Sequence, residues 1–144
     1  MIIAILDTNV LVSGLIGQRR RPLSPPAALI AAWRSGGFEL VLSADILSEV
    51  EHTLQKPYFS DRISSDQQQR LLTVLRRRSR IVRLTKRVSG VASHPADDLI
   101  LSTAVSAGAG YLVTGDRPLQ NLRSIRAVRI VSPRDFWNVL EHGR

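Results

Sequence analysis

Five short apolar runs, separated by stretches of helical periodicity, restrict this chain more than any other feature. They lie at residues 2–6, 38–42, 81–84, 111–114 and 128–131. The run at 2–6 is continuously apolar rather than alternating, as in a strand covered on both faces. Between the runs, apolar side chains recur at three- and four-residue spacing: Val10, Leu11 and Leu15; Ile30 and Trp33; Ile46, Val50 and Leu54; Leu71, Leu72 and Leu75; Ile100, Leu101, Ala104 and Val105; Phe136 and Leu140. Strands alternating with helices predict a central, mainly parallel five-stranded sheet covered on both faces, a three-layer α/β sandwich formed by residues 1–144 as one domain.

Capping residues mark the helix starts. Asp7 can cap a helix beginning near Thr8, Ser24 with Pro25 and Pro26 opens a second, and Ser43 opens a third that runs to about Lys56, where Pro57 stops it. A further helix is expected over 64–79, another over 96–107, and a last one from Ser132-Pro133. Residues 18–26 and 85–95 read as loops. Gly108-Ala109-Gly110 needs only a turn between a helix and a strand.

In such sheets ligands bind beyond the carboxyl ends of the strands. Four acids occupy equivalent places there. Asp7 and Asp116 follow strands directly, while Glu49 and Asp98 stand near the starts of helices that can face the same edge. Singly, each has an ordinary explanation as a helix cap, a first-turn acid, a solvated helix residue or a turn residue. Together they are costly, since two carboxylates 4 Å apart repel by roughly 4 kcal/mol at an effective dielectric near 20. A divalent cation removes that conflict, and Mg2+ or Mn2+ bound by oxygen ligands suits hydrolysis of a phosphodiester.

The charge balance points the same way. Of 20 basic residues 18 are arginine, against 12 acids, for a net charge of +8. Guanidinium groups suit phosphate, so nucleic acid or an acidic protein is the expected partner. Arg117, beside Asp116, and Arg19, Arg20 and Arg21 are candidates for flanking phosphates, whereas Arg76-Arg77-Arg78 read first as a solvated helix end. The absence of cysteine excludes disulfides, thiolate zinc sites and a cysteine nucleophile. His52, His94 and His142 lack metal-ligand spacing, and Trp33 and Trp137 read as packing residues. No apolar run approaches the ~20 residues that span a bilayer, so a cytoplasmic location is expected.

The chain resembles the PIN domain, named for the N-terminal domain of PilT-type proteins, over nearly its whole length. The resemblance is carried by Ile5-Leu6-Asp7-Thr8-Asn9-Val10, by Leu42-Ser43 with Ile46-Leu47-Ser48-Glu49-Val50, by Asp97-Asp98-Leu99-Ile100-Leu101-Ser102-Thr103-Ala104, and by Tyr111-Leu112-Val113-Thr114-Gly115-Asp116. Lys56-Pro57-Tyr58-Phe59 is most similar to a subgroup described as toxin components of bacterial toxin–antitoxin pairs. This resemblance implies a metal-dependent ribonuclease that leaves a 5′-phosphate and a 3′-hydroxyl, with Asp7, Glu49, Asp98 and Asp116 as its acidic constellation. Asn9, Ser43 and Thr114 would be the polar support. It also implies a cognate antitoxin and a homodimer. The segment before Leu99 departs from the subgroup, being less acidic and lacking a lysine there; Asp98 is favoured over Asp97 by the order of the residues that follow.

Two other classes compete. A phosphotransfer domain also places aspartate after its first strand, but Asp7 is followed by Thr8-Asn9 rather than a second aspartate. The two lysines, Lys56 and Lys86, follow no late strand. A catalytically silent PIN-like module binding RNA or protein is the closer alternative, and metal-dependent cleavage separates it from the nuclease.

Overall fold

The computed structural model describes residues 1–92 and 95–143, so His94 lies outside them. The chain opens with β1 (Ile3–Leu6) and α1 (Thr8–Ile16), followed by a 3-10 turn at Gly17–Arg19 and then α2 (Pro25–Arg34). Next come β2 (Glu39–Leu42), α3 (Ala44–Leu54), α4 (Pro57–Ser60), α5 (Ser65–Arg78) and β3 (Arg80–Ile81). The rest is α6 (Pro95–Ala107), β4 (Tyr111–Val113), α7 (Arg117–Asn121), β5 (Ser124–Ile125), β6 (Val128–Val131) and α8 (Pro133–His142).

The strands form one sheet in the order β3-β2-β1-β4-β6-β5. Every pair is parallel except β5 with β6. The sheet therefore has six strands instead of five. The extra one is a two-residue antiparallel edge, bracketed by Arg123 and Arg126 in the left-handed region, and too short to leave a period in the sequence. Pro57 ends α3 as expected, but its fixed φ also suits it to open α4. In the same way Asp116 caps α7, with Pro118 in its first turn.

The caps explain the other helix starts. Side-chain oxygens of Asp7, Ser24, Ser43 and Ser132 each accept an N–H three residues on. Ser64 and Gln67 form a reciprocal capping box at α5. The core is continuous across the sheet, with Ile5, Leu6, Leu40, Leu42 and Leu112 fully buried under Leu11, Leu29, Ile30, Ile46 and Phe136. Phe136 of α8 meets Phe38 edge-on at 5.1 Å and Tyr111 at 5.2 Å between ring centres. Trp33 is buried and Trp137 half-buried.

One glycine is dictated by packing. A Cβ on Gly14 would lie 2.5 Å from Cγ1 of Ile30 and 2.6 Å from the carbonyl oxygen of Pro26, so α1 and α2 can pack this closely only with hydrogen there. Gly14→Ala should destabilise the fold despite gaining about 1 kcal/mol of helix propensity. The clash with a backbone oxygen cannot be relieved by a rotamer change, and overpacking of this kind costs about 1–3 kcal/mol. A lower melting temperature by circular dichroism is the expected result; an unchanged or raised one would show that the two helices separate freely.

Candidate active site at the carboxyl edge of the sheet

Register between two parallel strands builds the site. Leu6 lies opposite Val113, and the Asp7 N–H donates to the Val113 carbonyl at 3.0 Å. Asp7 and Thr114 thus leave the sheet side by side. The chain runs from β1 to β2 on one flank, while β4 adjoins β1 on the other, so this is the point where strand order reverses and a crevice opens.

Asp7 is only 8% exposed. One of its carboxylate oxygens accepts the Val10 N–H at 2.9 Å, and the other accepts the Thr114 hydroxyl. The same Thr114 oxygen accepts the Asp116 N–H at 3.0 Å. The Asp116 carboxylate in turn accepts the Leu119 N–H at 3.0 Å. Gln120 closes the arrangement by donating its amide to the Thr114 carbonyl at 2.7 Å. Asp7, Thr114 and Asp116 are therefore oriented as one unit.

Burial pushes the Asp7 carboxyl above its usual range. The hydrogen bonds from Thr114 and Val10 oppose that shift, and the charges of Asp116 and Asp97 add to it. Asp116 stands between two recesses. One, of about 370 Å3, is walled by Asp7, Asn9, Ser13 and Asp116; the other, of about 90 Å3, has Asp97, Asp116 and Ala92 in its wall. The hydroxyl of Thr8, buried next to Asp7, has no hydrogen-bond partner among the described residues. Such an orphan calls for a bound water, ion or ligand.

Asp97, rather than Asp98, lines the smaller recess and reaches Asp7 with its charge. The Asp98 oxygens are engaged by backbone, accepting N–H groups of Gly90 at 3.0 Å and Ala92 at 2.9 Å. Two serines continue the seam along α6. Ser102 accepts the Val88 N–H at 2.8 Å, and Ser106 accepts the N–H groups of Thr85 and Lys86 at 3.0 Å. Asp98, Ser102 and Ser106 recur at four-residue spacing and tie the 85–92 segment to one stripe of the helix. Asp97 shares the spacing of Leu101 and Ala104, both fully buried, so its stripe faces the sheet. That periodicity is the sequence signal distinguishing the two aspartates.

The remaining candidates fall in different places. Asn9 lines the larger recess, and Thr114 holds Asp7 directly. Ser43 is buried as the cap of α3, accepting the Ile46 N–H at 3.2 Å. Glu49 is exposed on α3, and the acids whose charge reaches Asp7 are Asp116 and Asp97. Among the described residues no three acidic or histidine side chains converge into a ready-made metal cage. Arg117 is exposed at the start of α7, beside Asp116. Arg19, Arg20 and Arg21 lie past the far end of α1, whose nine residues span about 14 Å. Arg21 folds back to donate to the carbonyls of Gln18 and Arg20.

A family model described as PIN domain matches residues 4–118. The chain belongs to the PIN domain family. Its fold is similar to that of VapBC2 from Rickettsia felis, in a crystal structure with a DNA fragment from their promoter, at a TM-score of 0.60 and 19% identity, covering 91% of this chain and 98% of that one. It is also similar to PAE2754 from Pyrobaculum aerophilum, at a TM-score of 0.63 and 17% identity, covering 98% and 90%. No curated protein sequence matches the chain. No helix among the described residues of this PIN domain is long and apolar enough to cross a membrane.

Two predictions follow from the geometry. Folding raises the pKa of Asp7 above its ordinary 3.8, so the folded state holds this proton more tightly than the unfolded one. The Asp7 contribution favours folding below the unfolded pKa and is lost as pH rises through the folded one. Asp7→Asn, which keeps a capping oxygen, should therefore raise the melting temperature at pH 7 without divalent ions, and the gain should shrink on acidification; a less stable variant at pH 7 would contradict the dominance of burial. Separately, Asp98→Ala should speed amide exchange at Gly90 and Ala92, while Asp97→Asn should not. Equal exchange in the two variants would mean that the seam does not depend on Asp98.

Proposed function

We propose that this PIN domain is a divalent-metal-dependent endoribonuclease, the toxin of a toxin–antitoxin pair, with Asp7, Asp97 and Asp116 as its central acids. The observation that carries this reading is the burial of Asp7 at the strand-order reversal, where two further carboxylates reinforce its unfavourable charge. A group of anions so placed is complementary to a cation, and the donors are all hard oxygens. Mg2+ needs only one or two carboxylates, because it retains waters and takes up phosphate oxygens from its substrate. The donor set therefore fits Mg2+ or Mn2+ without a closed cage, and the unpartnered Thr8 hydroxyl gives a bound water an anchor.

When bound, the ion supplies Lewis-acid polarisation of a phosphoryl oxygen and activation of water at neutral pH. The protein supplies placement. Val10 and Thr114 fix both oxygens of Asp7, and the cap at Leu119 fixes Asp116. Arg117 is positioned for a phosphate flanking the scissile bond. Asn9 forms part of the wall, and Glu49, on the helix packed beside α1, is the outer acid of the set. Asp98 acts through the 85–92 segment, whose Ala92 lines the smaller recess. The toxin assignment draws on Lys56-Pro57-Tyr58-Phe59 and on the fold shared with VapBC2; a partner, self-association and a cytoplasmic setting belong to that assignment.

Cleavage of structured and single-stranded RNA with Mg2+, Mn2+ or EDTA tests the reading. Activity should require metal, and Asp7→Asn or Asp97→Asn should each reduce turnover by roughly a hundredfold or more while the fold persists, since each removes an anionic oxygen that would hold the metal. Asp98→Asn, which retains one accepting oxygen, should lose less. Metal-independent RNA binding with no cleavage would instead assign the chain to the silent binding modules. Wild-type turnover in a folded Asp7→Asn protein would remove the acids from the mechanism.

A further inference from the structure

Past the opposite end of α1 from Asp7 lies a recess of about 680 Å3. Its walls carry Arg19, Arg20, Arg34, Arg62 and Arg70, drawn from the turn after α1, the end of α2, the chain after α4, and α5. No acid is among its lining residues. The ion pairs among the described residues, Arg76 with Glu51 and Arg80 with Glu39, lie elsewhere. None of the five arginines takes part in those ion pairs, so the recess presents a cationic rim. Arg62 is held in place, its guanidinium stacked 3.9 Å from the centre of the Tyr58 ring and donating to the Tyr58 carbonyl.

The floor is different in character. Leu15, Ile16, Ile63 and Leu71 present aliphatic surface, and no aromatic side chain lines the recess. Grooves for single-stranded RNA combine cations with aromatic platforms on which bases stack, so the floor does not suit a nucleic-acid strand. Aliphatic anchors ringed by complementary charge are how protein segments bind. A volume of this size also falls within the range of sites that enclose several side chains or a small ligand.

We propose that this recess docks an acidic segment of a protein partner, with one or two aliphatic side chains on the Leu15, Ile16, Ile63 and Leu71 floor and its carboxylates on the arginine rim. The inference rests on the partner half of the reading above and not on cleavage. A partner seated here would engage the chain at the far end of α1 from the acids, leaving Asp7 and Asp116 to be covered by another part of the same partner or left open.

The test uses the full chain carrying Asp7→Asn, so that nuclease activity cannot enter the readout. Fluorescence polarisation would compare a panel of 12-residue peptides bearing glutamates around two leucines four residues apart, the same peptides with glutamine for glutamate or serine for leucine, and a 12-nucleotide single-stranded RNA. The glutamate-leucine class should bind best, and both peptide replacements should weaken it. Arg62→Glu with Arg70→Glu should reduce its affinity roughly tenfold or more, whereas the equal charge change Arg126→Glu with Arg129→Glu should reduce it far less. Matched melting temperatures, or Gln in place of Glu at the same two sites, keep unfolding from mimicking the loss. Equal loss in the two double variants would reduce the effect to net charge and overturn the proposal. So would indifference to the leucines, or RNA binding lost with Arg62 and Arg70 while the peptides fail to bind. Failure of RNA cleavage in the unmodified protein would leave these binding results unchanged.

Discussion

A carboxylate kept where its charge is unfavourable is the constraint on which this molecule depends. Asp7 extends the pairing of β1 with β4 through its backbone, caps α1 with one oxygen and receives the Thr114 hydroxyl on the other. Each contact is worth on the order of 1 kcal/mol by itself, more where it involves a charge. Together they join the central strand pair, the first helix and the turn leading to Asp116. Burial opposes the charge; the hydrogen bonds retain it, and the nearby acids sharpen the demand for a counter-ion. The fold gives up stability at this point to keep a carboxylate at the strand-order reversal.

Around that point the molecule is electrically two-ended. Acids gather at the start of α1 and arginines beyond its finish, about 14 Å apart along the helix. This exceeds the ~8 Å Debye length at physiological ionic strength. Solvent-exposed charges that far apart are only weakly coupled, so the two ends act as distinct electrostatic surfaces. The two ends present chemically different surfaces on a domain of 144 residues, on either side of α1, which packs closely through Gly14 against α2.

Much of this was legible from residues alone, and the limits have physical causes. Apolar runs buried on both faces marked the parallel strands, and serine, aspartate and proline caps marked helix starts, because both signals are local. The two-residue β5 and the short α7 were missed because neither is long enough to show a period, although Asp116 and Pro118 carried a start signal. The run at 81–84 was read as a strand; pairing at the sheet edge covers Arg80–Ile81 and ends with the Val82 N–H donating to the Leu42 carbonyl at 2.8 Å. Asp7, Thr114 and Asp116 could be placed together because each ends or follows a strand. The third acid could not be assigned from residue order, since Asp97 and Asp98 differ only in the direction they face on α6, which is set by the contacts of the whole helix.

Neighbouring residues on a helix point about 100° apart, so exchanging Asp97 for Asp98 at the crevice would take more than a quarter-turn of α6. Such a turn would carry the fully buried Leu101 and Ala104 out of the core. The three hydrogen-bonding residues on the other stripe fix the angle in discrete steps, because Asp98, Ser102 and Ser106 each need a particular backbone group of the 85–92 segment. Seam and core thus agree on one angle, with Asp98 on the 85–92 backbone and Asp97 lining the smaller recess with Asp116. The loop is shaped by the helix beside it, and its backbone in turn adds polar contacts to the packing that holds the helix.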